Sequence, residues 1–339
     1  MLASFVLFLF VFWTLFGSFA SVIIYRLKSW EKGMWGGRSH CTSCQKTLGA
    51  RDLVPIFSYL LHWGKCRQCD TKVSHIYPLL EITMWLAFAG IGYFGVDALY
   101  VIWGNFLEIG KLVFLLFLTF CLVVLSFYDI LFLEIPEEIL VIAIIGAFCV
   151  LMGQSFFPEM QILPKFTLSQ NSFFVGVLWS LVAASIILWM YVIMTQGLTE
   201  KYDFLILALS GLLLLWLREW FNTPFSSLPV ISGVVAAYAI FLFFYLQIFV
   251  SSGAWLWGWD LRIAILMGLV LWMSLSFYGV FLTYISGSII GISIIVYKKL
   301  IEKVKWRVNT MIPFWPFLAI GIYVTLLFYP YIQSFVTVQ

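Results

Sequence analysis

The sequence predicts an all-α, polytopic membrane protein of about ten transmembrane helices, with one small polar domain after the first helix. Hydrophobic residues make up 63% of the chain and charged residues 10%, and the mean hydropathy is +1.04. Soluble proteins are nearer ~45–50% apolar. A helix needs about 20 apolar residues to cross the hydrocarbon layer, and the chain contains a series of such runs. Composition and run length therefore exclude an ordinary soluble protein.

The apolar runs divide the chain into three parts. Residues 1–25 are expected to form the first transmembrane helix, residues 26–76 the polar domain, and residues 77–339 a transmembrane bundle that includes a helical pair at 172–229. The ten predicted spans are Leu2–Tyr25, Tyr77–Gly95, Leu112–Phe132, Glu138–Met152, Ser172–Met194, Asp203–Trp220, Val230–Phe249, Leu261–Thr283, Ile285–Tyr297 and Met311–Tyr329. The first is expected to be a permanent span rather than a cleaved signal, because its basic residues follow it.

The distribution of cationic residues predicts which loops face the cytoplasm. Nine of the 19 Lys and Arg residues lie between Arg26 and Lys72, and five more between Lys298 and Arg307. Cationic loops stay on the cytoplasmic side of a membrane. If the ten spans alternate in direction, the polar domain lies on that side. The helix ends that carry two aspartates discussed below, Asp129 and Asp260, then lie on the same side.

Four of the six cysteines lie in the polar domain and form two C-x2-C pairs, Cys41 with Cys44 and Cys66 with Cys69. Tetrahedral zinc takes four thiolates, and each pair can present two from one tight turn. A disulfide or an unmetallated pair is the alternative, but disulfides rarely persist in a reducing cytoplasm. So small a loop lacks a sufficient core, and the predicted zinc is structural.

Asp129 lies where a long apolar run meets a short polar stretch, Glu134-Ile135-Pro136-Glu137-Glu138. A lone ionised Asp is costly at membrane depth, which indicates chemistry, transport or pairing. Pro136 is expected near the first turn of the next helix. We expect the glutamates to be solvated or to charge the start of that helix.

Asp260 follows Trp257-Gly258-Trp259 and precedes Leu261-Arg262, with Gly268 eight residues further on. Gly258 permits a tight turn, which places Asp260 near the amino end of a new helix. The alternative interpretation is that Asp260 only caps this helix. Asp203 is a rival carboxylate, with Gly211 eight positions on, but Leu205 stands where Asp260 has Arg262.

Several stretches of the chain resemble the type IV prepilin peptidases that carry an amino-terminal cysteine domain. They are Gly17-Ser18-Phe19, Tyr25-Arg26, Gly37-Arg38-Ser39, Pro55 with Ser58-Tyr59-Leu60, Gly64-Lys65-Cys66, Tyr77-Pro78 with Glu81, Asp129 with Ile135-Pro136, the Asp260 stretch, and Ile312-Pro313-Phe314-Trp315-Pro316-Phe317-Leu318-Ala319. In that family the second motif is usually Gly-x-Gly-Asp-x-Lys and there are commonly eight spans. This chain has a displaced glycine, an arginine in place of the lysine, and the added pair.

The resemblance implies a membrane aspartic endopeptidase in the bacterial inner membrane, with Asp129 and Asp260 as the catalytic pair. Its substrates would be prepilins or pseudopilins, cut at the cytoplasmic membrane boundary after a short basic leader. It also implies methylation of the new amino terminus by S-adenosylmethionine, although no glycine-rich nucleotide fingerprint is present.

Two other classes remain open from the residues alone. Asp129, Asp203 and Asp260 could line an ion or proton path of a transporter, with the zinc domain as a regulatory module. The chain could also be a receptor or assembly scaffold. Loss of leader cleavage in single Asp-to-Asn variants would separate the peptidase from both.

Overall fold

The computed structural model describes residues 2–29, 38–41, 43–156, 229–251, 260–300 and 312–332. These residues form helices and two isolated β-bridges, and they contain no β-strand longer than a bridge. The predicted spans Ser172–Met194 and Asp203–Trp220, with Asp203 and Gly258, lie outside them. The predominantly helical fold is confirmed.

Nine α-helices follow one another along the described chain. They are α1 Leu2–Ser29, α2 Phe57–Leu61, α3 Ile76–Gly90, α4 Ala98–Ile102, α5 Phe106–Phe132, α6 Glu137–Phe156, α7 Pro229–Ser251, α8 Asp260–Leu300 and α9 Trp315–Leu327. A 3-10 turn, Ala50–Leu53, precedes α2, and a π-helical turn, Ile91–Gly95, extends α3. Seven of these helices correspond to eight of the predicted spans, because α8 covers two of them.

Three of the described helical segments are long and apolar enough to cross a membrane: Ile76–Gly95, Phe106–Phe132 and Leu275–Tyr297. Two shorter apolar segments, Ser232–Ile248 and Trp315–Leu327, accompany them. A membrane protein is therefore supported, whereas the predicted number of ten spans is not confirmed.

The chain divides into two compact units. The first comprises Met1–Leu140 with Met311–Ala319, and the second Val141–Thr310 with Ile320–Gln339. In the first unit α1 packs against α3 and α5, and α3 packs against α5. Gly17 allows the close approach of α1 to α3, because a Cβ there would lie 3.2 Å from the Cα of Glu81.

In the second unit α7 packs along α8, and the two backbones meet at Gly268. A Cβ on Gly268 would overlap the backbone of Ala237, so only glycine fits at this crossing. A similar contact joins α8 and α9, where a Cβ on Gly321 would overlap the Thr283 side chain. Small residues let neighbouring membrane helices approach closely.

The predicted boundary between Thr283 and Ile285 is wrong, because α8 is interrupted earlier, at Trp272. Trp272 has φ of 59° and ψ of 179°, outside the helical region. A Cβ on Gly279 would lie 2.6 Å from the Met267 Cε, although twelve residues of straight helix span about 18 Å. The chain therefore folds back at Trp272, and its long apolar segment is Leu275–Tyr297.

Candidate functional site

The four cysteines of the polar domain come together in the first unit. Their Sγ atoms all lie within 4.8 Å of one another, and those of Cys41 and Cys69 are 3.8 Å apart. Four sulfurs bound to one zinc at ~2.3 Å are about 3.8 Å apart by tetrahedral geometry. The predicted grouping is confirmed, and the cluster could hold a metal ion. Cys121 and Cys149 lie elsewhere, in α5 and α6.

The two cysteine pairs have the same backbone geometry. In the first pair the Cys41 N–H donates to the Lys46 carbonyl at 3.0 Å, and the Gln45 N–H donates to the Cys41 carbonyl at 2.9 Å. In the second pair the Cys66 N–H donates to Thr71 and the Asp70 N–H to Cys66, both at 2.9 Å.

Each turn closes through one residue with a left-handed backbone, Gln45 with φ of 58° and Asp70 with φ of 54°. Isolated bridges flank both turns, His40 with Thr47 and Lys65 with Lys72. The cluster is thus built from two copies of one local fold, each presenting two thiols.

Hydrogen bonds around the thiols change the pKa of cysteines in the cluster. The hydroxyl and backbone N–H of Thr71 lower the pKa of Cys69 to about 6. This shift favours the thiolate of Cys69, which is the form that binds metal. The backbone N–H of Lys46 also lowers the pKa of Cys44, but burial and the neighbouring thiols outweigh it and raise that pKa to about 11. A bound dication would lower the pKa of Cys44, because it stabilises the thiolate form of its ligands.

A cavity of about 760 Å³ lies beside the cysteine cluster, between the carboxyl end of α1 and the amino end of α3. Serine, threonine and tyrosine hydroxyl groups contribute much of its lining. The charged lining residues are Arg26, Arg38, Lys65, Arg67 and Lys72, with the carboxylates Asp52 and Glu81. Cationic groups therefore outnumber anionic ones. A cavity of this volume is in the range of small-molecule sites, ~300–1,000 Å³.

Both cavity carboxylates hold backbone groups of the domain. One oxygen of Glu81, Oε2, accepts a hydrogen bond from the Ile56 N–H at 2.7 Å. Asp52 accepts one from the Gly49 N–H at 3.0 Å and lies 3.5 Å from the Arg67 guanidinium. Glu81 belongs to the stretches that carry the resemblance, but local spacing does not predict its contact with Ile56, which lies 25 residues away.

Asp129 is buried near the carboxyl end of α5, 6% exposed, as the change from apolar to polar sequence predicts. Leu133 ends that helix with φ of 52° and donates its N–H to the Asp129 carbonyl at 2.8 Å. The side chain contacts a distant segment, since Oδ2 accepts a hydrogen bond from the Trp315 N–H at 3.2 Å. Trp315 is the first residue of α9, where helical N–H groups lack intrahelical partners.

Through this hydrogen bond, the Ile312–Ala319 stretch contacts Asp129. From the sequence alone, that stretch contributes only to the resemblance. A signal was available, because prolines at 313 and 316 favour a helix start beside Trp315. The partner of that start, 186 residues earlier, could not be read from spacing.

Glu134 forms an exposed ion pair with Lys28 of α1. The Lys28 Nζ lies 2.7 Å from its carboxylate, and the same ammonium lies 5.0 Å from the centre of the Phe132 ring. Glu137 and Glu138 occupy the first turn of α6, as predicted.

Asp260 lies at the amino end of α8, as predicted, and its side chain is buried, also 6% exposed. Tyr284 lies within electrostatic range of this carboxyl group, and its hydroxyl donates to the Gln247 Oε1 at 2.7 Å. Tyr284, which lies after the break at Trp272, therefore links Asp260 at the start of α8 to Gln247 of α7. Asp129 belongs to the first unit and Asp260 to the second.

One protein family matches the amino-terminal part of the chain. Residues 11–94 match the family described as Bacterial Peptidase A24 N-terminal domain. This range contains the carboxyl half of α1, the four cysteines, the cavity lining and all of α3.

Curated relatives carry names in agreement with that family. A "Prepilin leader peptidase/N-methyltransferase" of Pectobacterium carotovorum subsp. carotovorum is 32% identical over 143 residues, which cover 36% of this chain and 47% of the relative. The protein of that name from Bacillus subtilis (strain 168) is 32% identical over 133 residues, 39% of this chain and 49% of the relative.

A shorter segment is more similar still. The "Type 4 prepilin-like proteins leader peptide-processing enzyme" of Escherichia coli O78:H11 (strain H10407 / ETEC) is 49% identical over 51 residues, 15% of this chain and 19% of the relative. The resemblance to the type IV prepilin peptidases is confirmed. The chain spans about half the length, or less, of these relatives, and no solved structure matches it.

Proposed function

We propose that the protein is a membrane aspartic endopeptidase that removes the leader from type IV prepilins or pseudopilins, with Asp129 and Asp260 as its catalytic pair. The observation that carries this proposal is the similarity to proteins named prepilin leader peptidase, both in the cysteine domain and over stretches of 133–143 residues. The burial of both aspartates beside helix ends supports it. A carboxyl group held at such a position has a role in chemistry or pairing.

The proposed reaction is hydrolysis by a pair of carboxyl groups. Two facing carboxyl groups cannot both ionise easily, so the pair shares one proton. The ionised member removes a proton from the attacking water, and the protonated member gives a proton to the departing amine. The pair titrates as a unit, so neither Asp129 nor Asp260 is assigned as the acid.

The substrate proposed for this site has a short basic leader followed by an apolar helix. Apolar residues of such a helix can bind between membrane spans, which brings the scissile bond to the membrane boundary. The proposed location is the bacterial inner membrane, with the cysteine domain and both aspartates on the cytoplasmic side. The positive-inside distribution of Lys and Arg supports this orientation.

A direct test uses the purified chain, a model prepilin and intact mass measurement. Loss of the leader mass with the natural chain, and its retention with either Asp129→Asn or Asp260→Asn, is the expected result. Asp203→Asn serves as the matched control and is expected to cleave normally. If all three variants cleave while proton flux into vesicles depends on the aspartates, the transporter interpretation replaces the peptidase.

We also propose that the cysteine cluster holds zinc. The match between the thiol separations and tetrahedral zinc geometry supports this assignment. With four protein ligands such a zinc has no open position and stabilises the fold rather than reacting. Cys41, Cys44, Cys66 and Cys69 would be its ligands. Metal analysis of the purified protein tests the identity of the ion.

A second activity, methylation of the new amino terminus, is proposed from the names of the relatives and from the cavity. S-adenosylmethionine supplies a methyl group when bound. The cavity has the required volume, cationic side chains for a carboxylate and hydroxyl groups for a ribose. Retained binding of S-adenosylmethionine by an Arg38→Ala, Lys72→Ala double variant would count against this location. In the same mass assay, methylation would add about 14 Da, the mass of a CH₂ unit, to the cleaved product.

A further inference from the structure

The short helix α2 exposes an apolar face. Phe57, Leu60 and Leu61 occupy positions i, i+3 and i+4, which lie on one side of a helix. Their exposed fractions are 56%, 63% and 72%, and Trp63, just after the helix, is 89% exposed. Four large apolar side chains within seven residues form a contiguous surface, which we call the α2 face. Contiguous exposed apolar surface of this kind indicates an interaction site.

The opposite side of α2 faces the interior of the domain. Ser58, Tyr59 and His62 line the cavity beside the cysteine cluster. The helix is therefore amphipathic within its own small domain, and its orientation is fixed by contacts on the inner side. The α2 face is not part of the domain's core.

Two hydrogen bonds place α2 at the membrane boundary. The Tyr59 hydroxyl lies 2.6 Å from the Nδ1 of His75, the residue that precedes the membrane span Ile76–Gly95. The Ile56 N–H donates to Glu81, which lies about 7.5 Å along that span, at ~1.5 Å per residue. Side chains on a helix point toward its amino end, so Glu81 reaches back to Ile56 near the start of the span.

The span continues from this contact as an apolar stripe. His75, Leu79, Ile82 and Leu86 follow one another at i, i+4, i+7 and i+11, the spacing of one helix face. Leu79, Ile82 and Leu86 are exposed on a helix that is apolar enough to cross the membrane. Because Tyr59 contacts His75, α2 lies beside the amino end of this stripe.

Cationic residues flank the α2 face. In the sequence Arg51 precedes it and Lys65, which also lines the cavity, follows it, and both are exposed. Basic side chains beside an exposed apolar face are typical of helices that lie in the boundary between headgroups and acyl chains. Trp63 fits the same place, since tryptophan is enriched at membrane interfaces.

We propose that the α2 face is an interfacial membrane-binding element, whose partner is the lipid bilayer itself. Phe57, Leu60, Leu61 and Trp63 enter the boundary between headgroups and acyl chains, to a depth of about 5–10 Å. The cysteine domain then lies on the membrane rather than standing in the aqueous phase.

Spin-label accessibility tests this proposal on the full chain. The background is Cys121→Ser with Cys149→Ser, metal-loaded and reconstituted in vesicles of phosphatidylcholine and phosphatidylglycerol. Leu61→Cys carries the label on the α2 face, and Leu60→Cys provides a second position there. Gln68→Cys, exposed in the second cysteine turn, is the matched control. Background protein without an added cysteine measures labelling of the metal thiols, which is subtracted.

The measured quantities are collision rates of the label with oxygen, which concentrates in lipid, and with a water-soluble nickel complex. We expect labels at 60 and 61 to favour oxygen several-fold over nickel, and the label at 68 to show the reverse. Equal nickel access at 61 and 68 would overturn the proposal. So would shielding from both reagents at 60 and 61, because a protein partner or second copy would then cover the face. Neither readout requires the protein to cleave a substrate.

Discussion

Replacing Asp129 separates its structural role from its proposed catalytic role. The carboxylate oxygen Oδ2 accepts the N–H of Trp315, at the buried first turn of α9. Asparagine retains an acceptor oxygen at this position, whereas alanine removes it. Asp129→Asn should therefore fold almost as well as the natural protein, and Asp129→Ala should not.

The size of the difference follows from the contact. Loss of a helix cap costs about 0.5–2 kcal/mol. The Trp315 N–H lies in a buried setting, and a buried donor without a partner costs about 1–3 kcal/mol. We expect Asp129→Ala to lower the free energy of unfolding by about 1–3 kcal/mol, and Asp129→Asn by no more than about 0.5 kcal/mol, the ordinary effect of a mild substitution.

Unfolding in mixed detergent micelles measures the stability, and leader removal from a model prepilin measures the activity. Both variants should lose cleavage by at least about 10²-fold, the usual contribution of an acid–base group. Equal destabilisation by Asn and Ala would refute the capping role of Asp129. Normal cleavage by the Asn variant would refute the catalytic role and leave a carboxylate that only holds α9.

Three further substitutions test other parts of the structure. Cys44→Ser should reduce bound zinc well below about one ion per chain after dialysis against a chelator, because one of four ligands is lost, while Cys149→Ser leaves the zinc content unchanged; equal loss in both would contradict the assignment. Gly268→Ala should destabilise the protein by about 1–3 kcal/mol, as overpacking against backbone does, whereas Gly49→Ala should unfold near the natural midpoint. Lys28→Ala should cost less than about 1 kcal/mol, the usual contribution of an exposed ion pair, and a larger shift of the unfolding midpoint would show that this pair matters more than its exposure indicates.

The parts of the site that could be predicted from sequence depend on local spacing. Cys41 with Cys44, and Cys66 with Cys69, sit on two turns that each bring a pair of thiols together within six residues. A single long-range contact between the two turns then completes the four-thiol cluster. Similarly, the position of Asp129 at a helix end follows from the change in composition around it.

Contacts between distant segments could not be predicted from local spacing. The hydrogen bonds from Trp315 to Asp129 and from Ile56 to Glu81 join residues 186 and 25 positions apart. No periodicity in one sequence encodes which helix end meets which carboxylate. Such contacts are a property of the packed fold.

The reversal at Trp272 was missed for a different reason. Turns are usually recognised by glycine, proline or asparagine, which tolerate a left-handed or restricted backbone. Here a tryptophan within an apolar run adopts φ of 59°. The apolar pattern continues through the reversal, so hydropathy placed the boundary near residue 284 instead.

Glu81 and Asp129 show why a carboxylate at membrane depth does not by itself indicate catalysis. Each accepts a backbone N–H from a distant segment, so each has a structural explanation. The Ile56 N–H belongs to a polar domain that Glu81 anchors to α3, and fixing that domain accounts for the carboxylate. At Asp129 the hydrogen bond to Trp315 uses Oδ2, and the second oxygen is the atom through which acid–base chemistry would act. The peptidase proposal therefore requires Asp129 to do two things at once: hold the start of α9 with one oxygen and exchange a proton with the other.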